Sequence, residues 1–121
     1  MARLTILLCH SPFHHESVDE AIEIGLATLA RGHKLDLFLM MDGVYFAYNR
    51  QSGEPFNVEA VYMRLSNLMA KGGRIVLCRV CAELRGVSEE NIPKGIEIGG
   101  LFDLSESIAE SDAVLSFAGS G

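Results

Sequence analysis

The sequence predicts an α/β fold built on a mostly parallel five-stranded sheet. Short apolar runs rich in β-branched residues alternate with longer segments whose apolar residues recur every three or four positions, a pattern typical of strands alternating with amphipathic helices. Such alternation implies right-handed crossovers and a parallel sheet covered by helices on both faces. The chain of 121 residues is long enough to bury its own core, so we predict a single domain over residues 1–121.

Two strand–helix units are predicted in the first part of the chain. Residues 3–9 form a short apolar run that indicates the first strand. The apolar face of the first helix consists of Val18, Ala21, Ile22, Gly25 and Leu29. Gly32 is a typical stop signal after this helix, and residues 34–41 indicate the second strand. The polar, Gly- and Pro-containing stretch from Asp42 to Phe56 predicts a long loop.

The next unit leads to a cysteine pair. One face of the second helix consists of Val58, Val61, Tyr62, Leu65 and Met69. Residues 74–77 indicate the third strand, with Cys78 at its end, and a short helical turn over residues 81–84 stops at Gly86.

The last part of the chain completes the sheet. Residues 96–98 indicate a weak fourth strand, and residues 113–117 indicate the last strand. Asp103 and Glu106 have the spacing of a capping box, so we expect a helix to open at Asp103 and to continue through Leu104 and Ile108.

Charge and composition exclude several function classes. The formal net charge of −6 argues against direct binding of nucleic acid, which depends on clustered Lys and Arg. The apolar run at the N-terminus is too short for a membrane span or a signal peptide, so we expect a cytoplasmic protein with no membrane contact. Three cysteines cannot all pair within one chain, and thiols stay reduced in the cytoplasm. Both points disfavour a disulfide framework.

Candidate site residues follow the predicted strands, because ligands bind beyond the carboxyl ends of parallel strands. His10 follows the first strand together with Cys9, and Asp42 and Gly43 follow the second. After the third strand, Cys78 and Cys81 form a C-x-x-C motif at a strand-to-helix junction, with Arg79 and Arg85 in the same segment. A helix start and nearby positive charge lower the pKa of a cysteine and make its sulfur nucleophilic.

Other interpretations of the cysteines remain open at this point. Buried cysteines are commonly inert, and Cys9, inside an apolar run, is most simply a packing residue. The C-x-x-C motif also permits a redox function, or a zinc site completed by His10, His14 or His15, but there is no second C-x-x-C. No glycine-rich nucleotide motif is present in the sequence, and we predict neither a metal nor a cofactor.

The segment from Cys78 to Val87, with its Arg85-Gly86 pair, resembles the signature of the DsrE/TusD family of sulfur-relay proteins. Gly32-His33, the run from Asp42 to Tyr45, and the final helix and strand resemble the same family, so the likeness covers nearly the full length.

The resemblance implies a three-layer α/β/α fold and a sulfurtransferase that carries persulfide sulfur on Cys78, which stands eight residues before Gly86. Cys81 matches a second cysteine of other branches, while Arg79, Arg85, His10, Asp42 and Gly43 are the supporting or substrate-binding candidates. Implied partners are sulfur donor and acceptor proteins, in sulfur oxidation or tRNA thiolation. Implied assemblies are homo-trimers or hexamers, or hetero-oligomers with related subunits. A non-catalytic assembly or ligand-binding subunit with inert thiols is the alternative.

Overall fold

The computed structural model describes residues 1–13, 16–51, 55 and 61–118, and it confirms the predicted α/β fold. Its elements are β1 (Arg3–Leu8), α1 (Ser17–Ala30), β2 (Lys34–Leu39), a 3-10 helix (Met41–Ala47), α2 (Val61–Ala70), β3 (Arg74–Cys78), α3 (Arg79–Leu84), a 3-10 turn (Glu89–Asn91), β4 (Glu97–Gly99), α4 (Leu101–Glu110) and β5 (Ala113–Phe117).

The five strands form one sheet in the order β4-β3-β2-β1-β5, and every neighbouring pair is parallel. All strands therefore end at the same edge of the sheet, which we call the carboxyl edge. The register places the last residue of β3, Cys78, beside Gly99 of β4. Segments that follow the strands are thus brought together there, as expected for parallel sheets.

The main core lies between one face of the sheet and helices α1 and α2. The central strands contribute Ile6, Leu8, Leu35, Leu37, Leu39, Ile75 and Leu77. The helices contribute Val18, Ala21, Ile22, Val61, Leu65 and Leu68. Each strand supplies alternate residues to this face, as the pleat requires, and the buried helix positions recur at helical spacing.

The opposite face of the sheet is joined to α4 through polar contacts. Ser107 is the buried residue of α4, and its hydroxyl donates to Asp36 of β2 at 2.6 Å. The Asp36 carboxylate also binds the Arg3 guanidinium at 2.8 Å, and Arg74 lies 3.7 Å away. Thr5 hydrogen-bonds to the Ser107 hydroxyl at 2.7 Å. This buried carboxylate is therefore paired and hydrogen-bonded, which offsets its desolvation.

The expectation that helices cover both faces of the whole sheet is wrong at β5. Residues 113–116 of this strand are exposed, including Val114 and Leu115, and Ile108 of α4 is exposed as well. The physical reason is that α4 faces the sheet with Ser107 and leaves apolar side chains in solvent. An apolar edge strand is thus left uncovered in the single chain.

Several element boundaries differ from the sequence-based expectations. Asp42 and Gly43 lie in a 3-10 helix and not in a loop, because the chain turns back over the end of β1. α3 begins at Arg79, directly after β3. α4 begins at Leu101, where Asp103 occupies the third helical position and accepts a hydrogen bond from the Gly100 N–H at 2.9 Å.

Predicted helix positions before Val61 lie outside the described residues. Within the described ranges, no helix has the length and apolar character needed to cross a membrane.

Candidate functional site

Cys78 is both the last residue of β3 and the residue that precedes α3. Its extended backbone, with φ −66° and ψ 119°, lets the strand turn directly into the helix. The Cys78 side chain is half-buried, whereas Cys81, one turn into α3, is buried in the core. The motif therefore presents one accessible and one inaccessible thiol at the carboxyl edge.

Opposing effects act on the Cys78 thiol. Burial is the largest, and it raises the pKa because a thiolate loses hydration there. The nearby backbone N–H groups of Cys81 and Val80 lower the pKa, while the side chain and charge of Cys81 raise it. The net pKa lies above the ordinary value, so the expectation of a lowered pKa is wrong for the single chain.

Cys9 is a third thiol at the carboxyl edge, where the sequence places it, although it was interpreted there as a packing residue. It follows β1, its N–H donates to the Phe117 carbonyl at 3.0 Å, and its side chain is half-buried. Burial raises the pKa of the Cys9 thiol, and the charge of Cys81 raises it further. The charge of Cys81 therefore acts on both Cys78 and Cys9. In the sequence, the position of Cys9 directly after the first strand indicates that it lies at the carboxyl edge.

Arg85 and Asp42 connect α3 to the 3-10 helix. The Arg85 Nε donates to the Asp42 carboxylate at 3.0 Å, and another guanidinium nitrogen donates to the Cys81 carbonyl at 3.1 Å. Arg85 is thereby committed to holding the backbone around the cysteines and does not lie free beside a thiolate. Its contribution to the site is structural positioning.

Gly43, next to Asp42 in the first turn of the 3-10 helix, allows this helix to lie close to β1. A Cβ atom at this position would lie 2.1 Å from the Leu8 carbonyl oxygen, so only glycine allows the helix to pack on the end of β1. His10 is held in the same region, with its Nδ1 hydrogen-bonded to the Ser17 hydroxyl at 2.5 Å, in the first turn of α1. Both residues thus support the carboxyl edge.

Two adjoining cavities, each of about 400 Å³, open beside α3. They share Arg79, Glu89 and Ile98 as lining residues, while Lys94 lines one and Glu83 the other. Arg79 is exposed, and within the part of the chain that the structure describes it forms no ion pair. A cleft with both signs of charge therefore lies next to the cysteine motif.

The structure offers no support for the zinc interpretation among the residues it describes, since no three His, Cys, Asp or Glu side chains are grouped as metal ligands there. The zinc hypothesis relied in part on His14 and His15, which lie outside the described residues.

The model of the DsrE/DsrF-like family matches residues 2–117 of the chain. This chain belongs to the DsrE/DsrF-like family. Among its relatives, the YchN protein of Escherichia coli is 31% identical over 120 residues, covering 97% of this chain and 100% of YchN. The sulfurtransferase TusD of Cronobacter sakazakii is 25% identical over 129 residues, covering 95% of this chain and 99% of TusD.

Solved structures agree with membership of the DsrE/DsrF-like family. The crystal structure of YchN superposes with a TM-score of 0.87 at 28% identity, and covers 97% of this chain and 100% of YchN. A protein of Methanobacterium thermoautotrophicum superposes with a TM-score of 0.73 at 13% identity, a likeness that concerns the fold alone. The predicted three-layer α/β/α arrangement with a five-stranded parallel sheet is thus confirmed.

Proposed function

We propose that this protein is a sulfur-relay protein that holds a sulfane sulfur as a persulfide on Cys78 and passes it to a partner protein. The observation that carries the proposal is the position of Cys78, which is half-buried where β3 meets α3 and directly precedes the first backbone N–H groups of that helix. The backbone N–H groups of Val80 and Cys81 at this helix start favour a negative charge on a thiolate or a persulfide. The relationship to the sulfurtransferase TusD supports this chemistry.

Cys81 has two roles open to it in this scheme. As a second acceptor, its thiolate attacks the outer sulfur of the Cys78 persulfide, the sulfur–sulfur bond breaks, and Cys78 leaves as a thiolate. As a resolving thiol, it attacks the Cys78 Sγ, forms a Cys78–Cys81 disulfide and expels hydrosulfide, after which a thiol reductant restores the site. Its burial and its interaction with Cys78 suit either reaction.

The remaining candidates have supporting roles. Arg85, through Asp42 and the Cys81 carbonyl, positions the start of α3, and Gly43 lets the 3-10 helix pack on β1. His10, at the same edge, is placed to take part in proton transfer. In the proposed setting the protein is cytoplasmic, needs no cofactor, and works between a sulfur donor protein and a sulfur acceptor protein.

We also propose that the chain forms a homo-oligomer, a trimer or hexamer, or joins related subunits in a hetero-oligomer. We define the β5 surface as the exposed apolar side chains of Val114 and Leu115, which point to opposite faces of this edge strand, together with Ile108 of α4. Because strands of parallel sheets are ordinarily buried on both faces, this uncovered surface is suited to contact another copy of the chain.

The carrier function is tested by intact-mass spectrometry after incubation with a cysteine desulfurase and cysteine. We expect the protein to gain the mass of one sulfur atom, and we expect Cys78→Ser to abolish the gain while Cys9→Ser retains it. No gain on the wild-type protein, or an unchanged gain on Cys78→Ser, would contradict the proposal and favour the alternative, an assembly or ligand-binding subunit with inert thiols.

A further inference from the structure

The two adjoining cavities between α3 and β4, which we call the α3–β4 cleft, are lined by charged side chains of both signs. Arg79 and Glu89 line both cavities, Lys94 lines one of them and Glu83 lines the other. All four side chains are exposed, and among the residues that the structure describes none of the four takes part in an ion pair. Their charges are therefore available to a ligand.

The walls of the α3–β4 cleft are apolar. Ile98 lines both cavities, Ile92 and Ile96 line one of them, and Ala82 and Val87 line the other. Each cavity has a volume of about 400 Å³. Sites for small molecules have volumes of roughly 300–1,000 Å³ and combine apolar walls with a few polar groups that orient the ligand. The lining thus matches a small ligand that has an apolar body and charged groups of both signs.

The segment that carries Glu89 is held in place by backbone hydrogen bonds on both sides. Before it, the Val87 N–H donates to the Ala82 carbonyl of α3 at 2.9 Å. After it, the Asn91 carbonyl accepts a hydrogen bond from the Asn49 N–H at 2.7 Å. The cleft is therefore formed by the fold itself, so a ligand need not order this wall when it binds. A preformed site loses less conformational freedom on binding.

Arg79 and Glu89 indicate the head group of such a ligand. They line the same cavities but are too far apart to form an ion pair with each other. A guanidinium binds a carboxylate through two parallel N–H···O bonds, and a carboxylate accepts hydrogen bonds from an ammonium group. A ligand with a charge of one sign only would face a like charge on Arg79 or on Glu89. A zwitterion satisfies both side chains.

We propose that the α3–β4 cleft binds a free α-amino acid with an apolar side chain. Arg79 binds its carboxylate, Glu89 binds its ammonium group, and its side chain packs along Ile98. Lys94 and Glu83 add one charge of each sign, so the four side chains together carry no net charge and favour a ligand that is neutral overall. The proposal goes beyond the carrier function and does not rest on it, because the lining includes neither thiol of the cysteine motif.

The test is a titration of the full-length, isotope-labelled protein with L-leucine, followed by the amide chemical shifts in NMR spectra. We expect the signals of the cleft residues to move and to saturate with a Kd of about 0.1–1 mM, as suits a ligand of this size in an open site. Three analogues each lack one part of leucine. Isocaproate lacks the ammonium group, isoamylamine lacks the carboxylate, and glycine lacks the apolar side chain. Each analogue should bind at least about tenfold more weakly.

Substitutions that remove one charge assign the two contacts of the head group. Arg79→Gln should weaken binding of L-leucine about tenfold and leave that of isoamylamine unchanged, while Glu89→Gln should weaken L-leucine equally and leave isocaproate unchanged. Arg31→Gln and Glu110→Gln are the matched controls, because both residues are exposed and lie outside the cleft.

Three results would overturn the amino-acid site. These are no saturable shifts with L-leucine, equal affinities for leucine and its analogues, and L-leucine binding that Arg79→Gln and Glu89→Gln leave unaltered. All of these measurements are made on protein without added sulfur, so failure of the carrier function would not affect their outcome.

Discussion

At Cys78, burial and the neighbouring backbone N–H groups shift the pKa of the same thiol in opposite directions. Burial prevails and keeps the pKa above the ordinary value, so most of the thiol is protonated at neutral pH. A protonated thiol is protected from indiscriminate oxidation, because the thiolate is the reactive form. The neighbouring backbone N–H groups favour the sulfur only in its negatively charged form.

Cys81→Ala is expected to lower the pKa of Cys78, because it removes the neighbouring side chain and charge that raise it. The rate of alkylation by iodoacetamide, measured against pH, should move to lower pH for this variant. Cys9→Ala serves as the control and should leave the Cys78 profile in place. An unchanged profile for Cys81→Ala would show that the two thiols do not interact.

The raised pKa of Cys78 also predicts how stability depends on pH. Above the pKa of the thiol in the unfolded chain, the folded state binds more protons than the unfolded state. The contribution of the Cys78 thiol to the free energy of unfolding is therefore complete below the pKa that this thiol has in the unfolded chain. It is lost as the pH rises through the higher pKa that the thiol has in the folded state. Urea unfolding measures this effect: on going from neutral to alkaline pH, the free energy of unfolding should fall less for Cys78→Ser than for the wild type. Equal losses would contradict this linkage.

Asp36 is the residue whose loss should cost most on the α4 side of the sheet. It is 2% exposed and is the shared acceptor for Arg3 and Ser107, with Arg74 nearby. We expect Asp36→Ala to lower the free energy of unfolding by about 2–4 kcal/mol, because buried polar and charged groups lose their partner. Asp19→Ala, which breaks a pair with Arg64 in which Asp19 is exposed, should cost about 0–1 kcal/mol. Chemical denaturation measures both, and equal costs would refute the assignment.

At the scale of elements, the 3-10 helix over Met41–Ala47 links β1, α2 and α3. Gly43 allows its closest approach to β1, and Asp42 holds Arg85 of the segment after α3. A change at Gly43 should therefore disturb both the packing of the 3-10 helix and the position of the cysteines.

Gly43→Ala is expected to cost about 3 kcal/mol of stability, because its Cβ would meet the backbone oxygen of Leu8 at 2.1 Å and backbone cannot yield cheaply. Gly25→Ala is the matched control. Its Cβ would meet only the end of the flexible Leu35 side chain, at 2.9 Å, and alanine favours the helix. We expect a change of about 1 kcal/mol or less in that variant. Similar thermal unfolding of the two variants would contradict the role given to Gly43.

For the whole molecule, periodicity predicted the order of the strands and helices because each core-facing element keeps its apolar residues on one side. β5 matches its predicted range, Ala113–Phe117. The exposure of β5 could not be predicted in the same way, because an apolar strand looks alike whether its cover comes from its own chain or from another. The 3-10 helix was missed because it is set by contacts with β1 and α3, far away in the sequence.

The candidate site was predicted in part for the same reason. Parallel topology brings strand ends together, so Cys78 and Cys81 were found from their position after β3. The direction in which the Cys78 pKa shifts was not predicted correctly, since it depends on how much of the thiol's hydration the fold removes. Cys9 was taken for a packing residue because the sequence does not show that the end of β1 and the buried thiol of α3 are close.

The β5 surface leads to a prediction about assembly. Each copy carries a net charge of −6, so copies repel one another at low ionic strength, while burial of Ile108, Val114 and Leu115 favours contact. Added salt screens the repulsion and strengthens burial, so we expect sedimentation velocity to show larger species as salt is raised. Val114→Asp should shift the distribution towards the monomer at every salt concentration, whereas Met63→Asp should not. A monomeric wild-type protein at all salt concentrations would contradict the assembly.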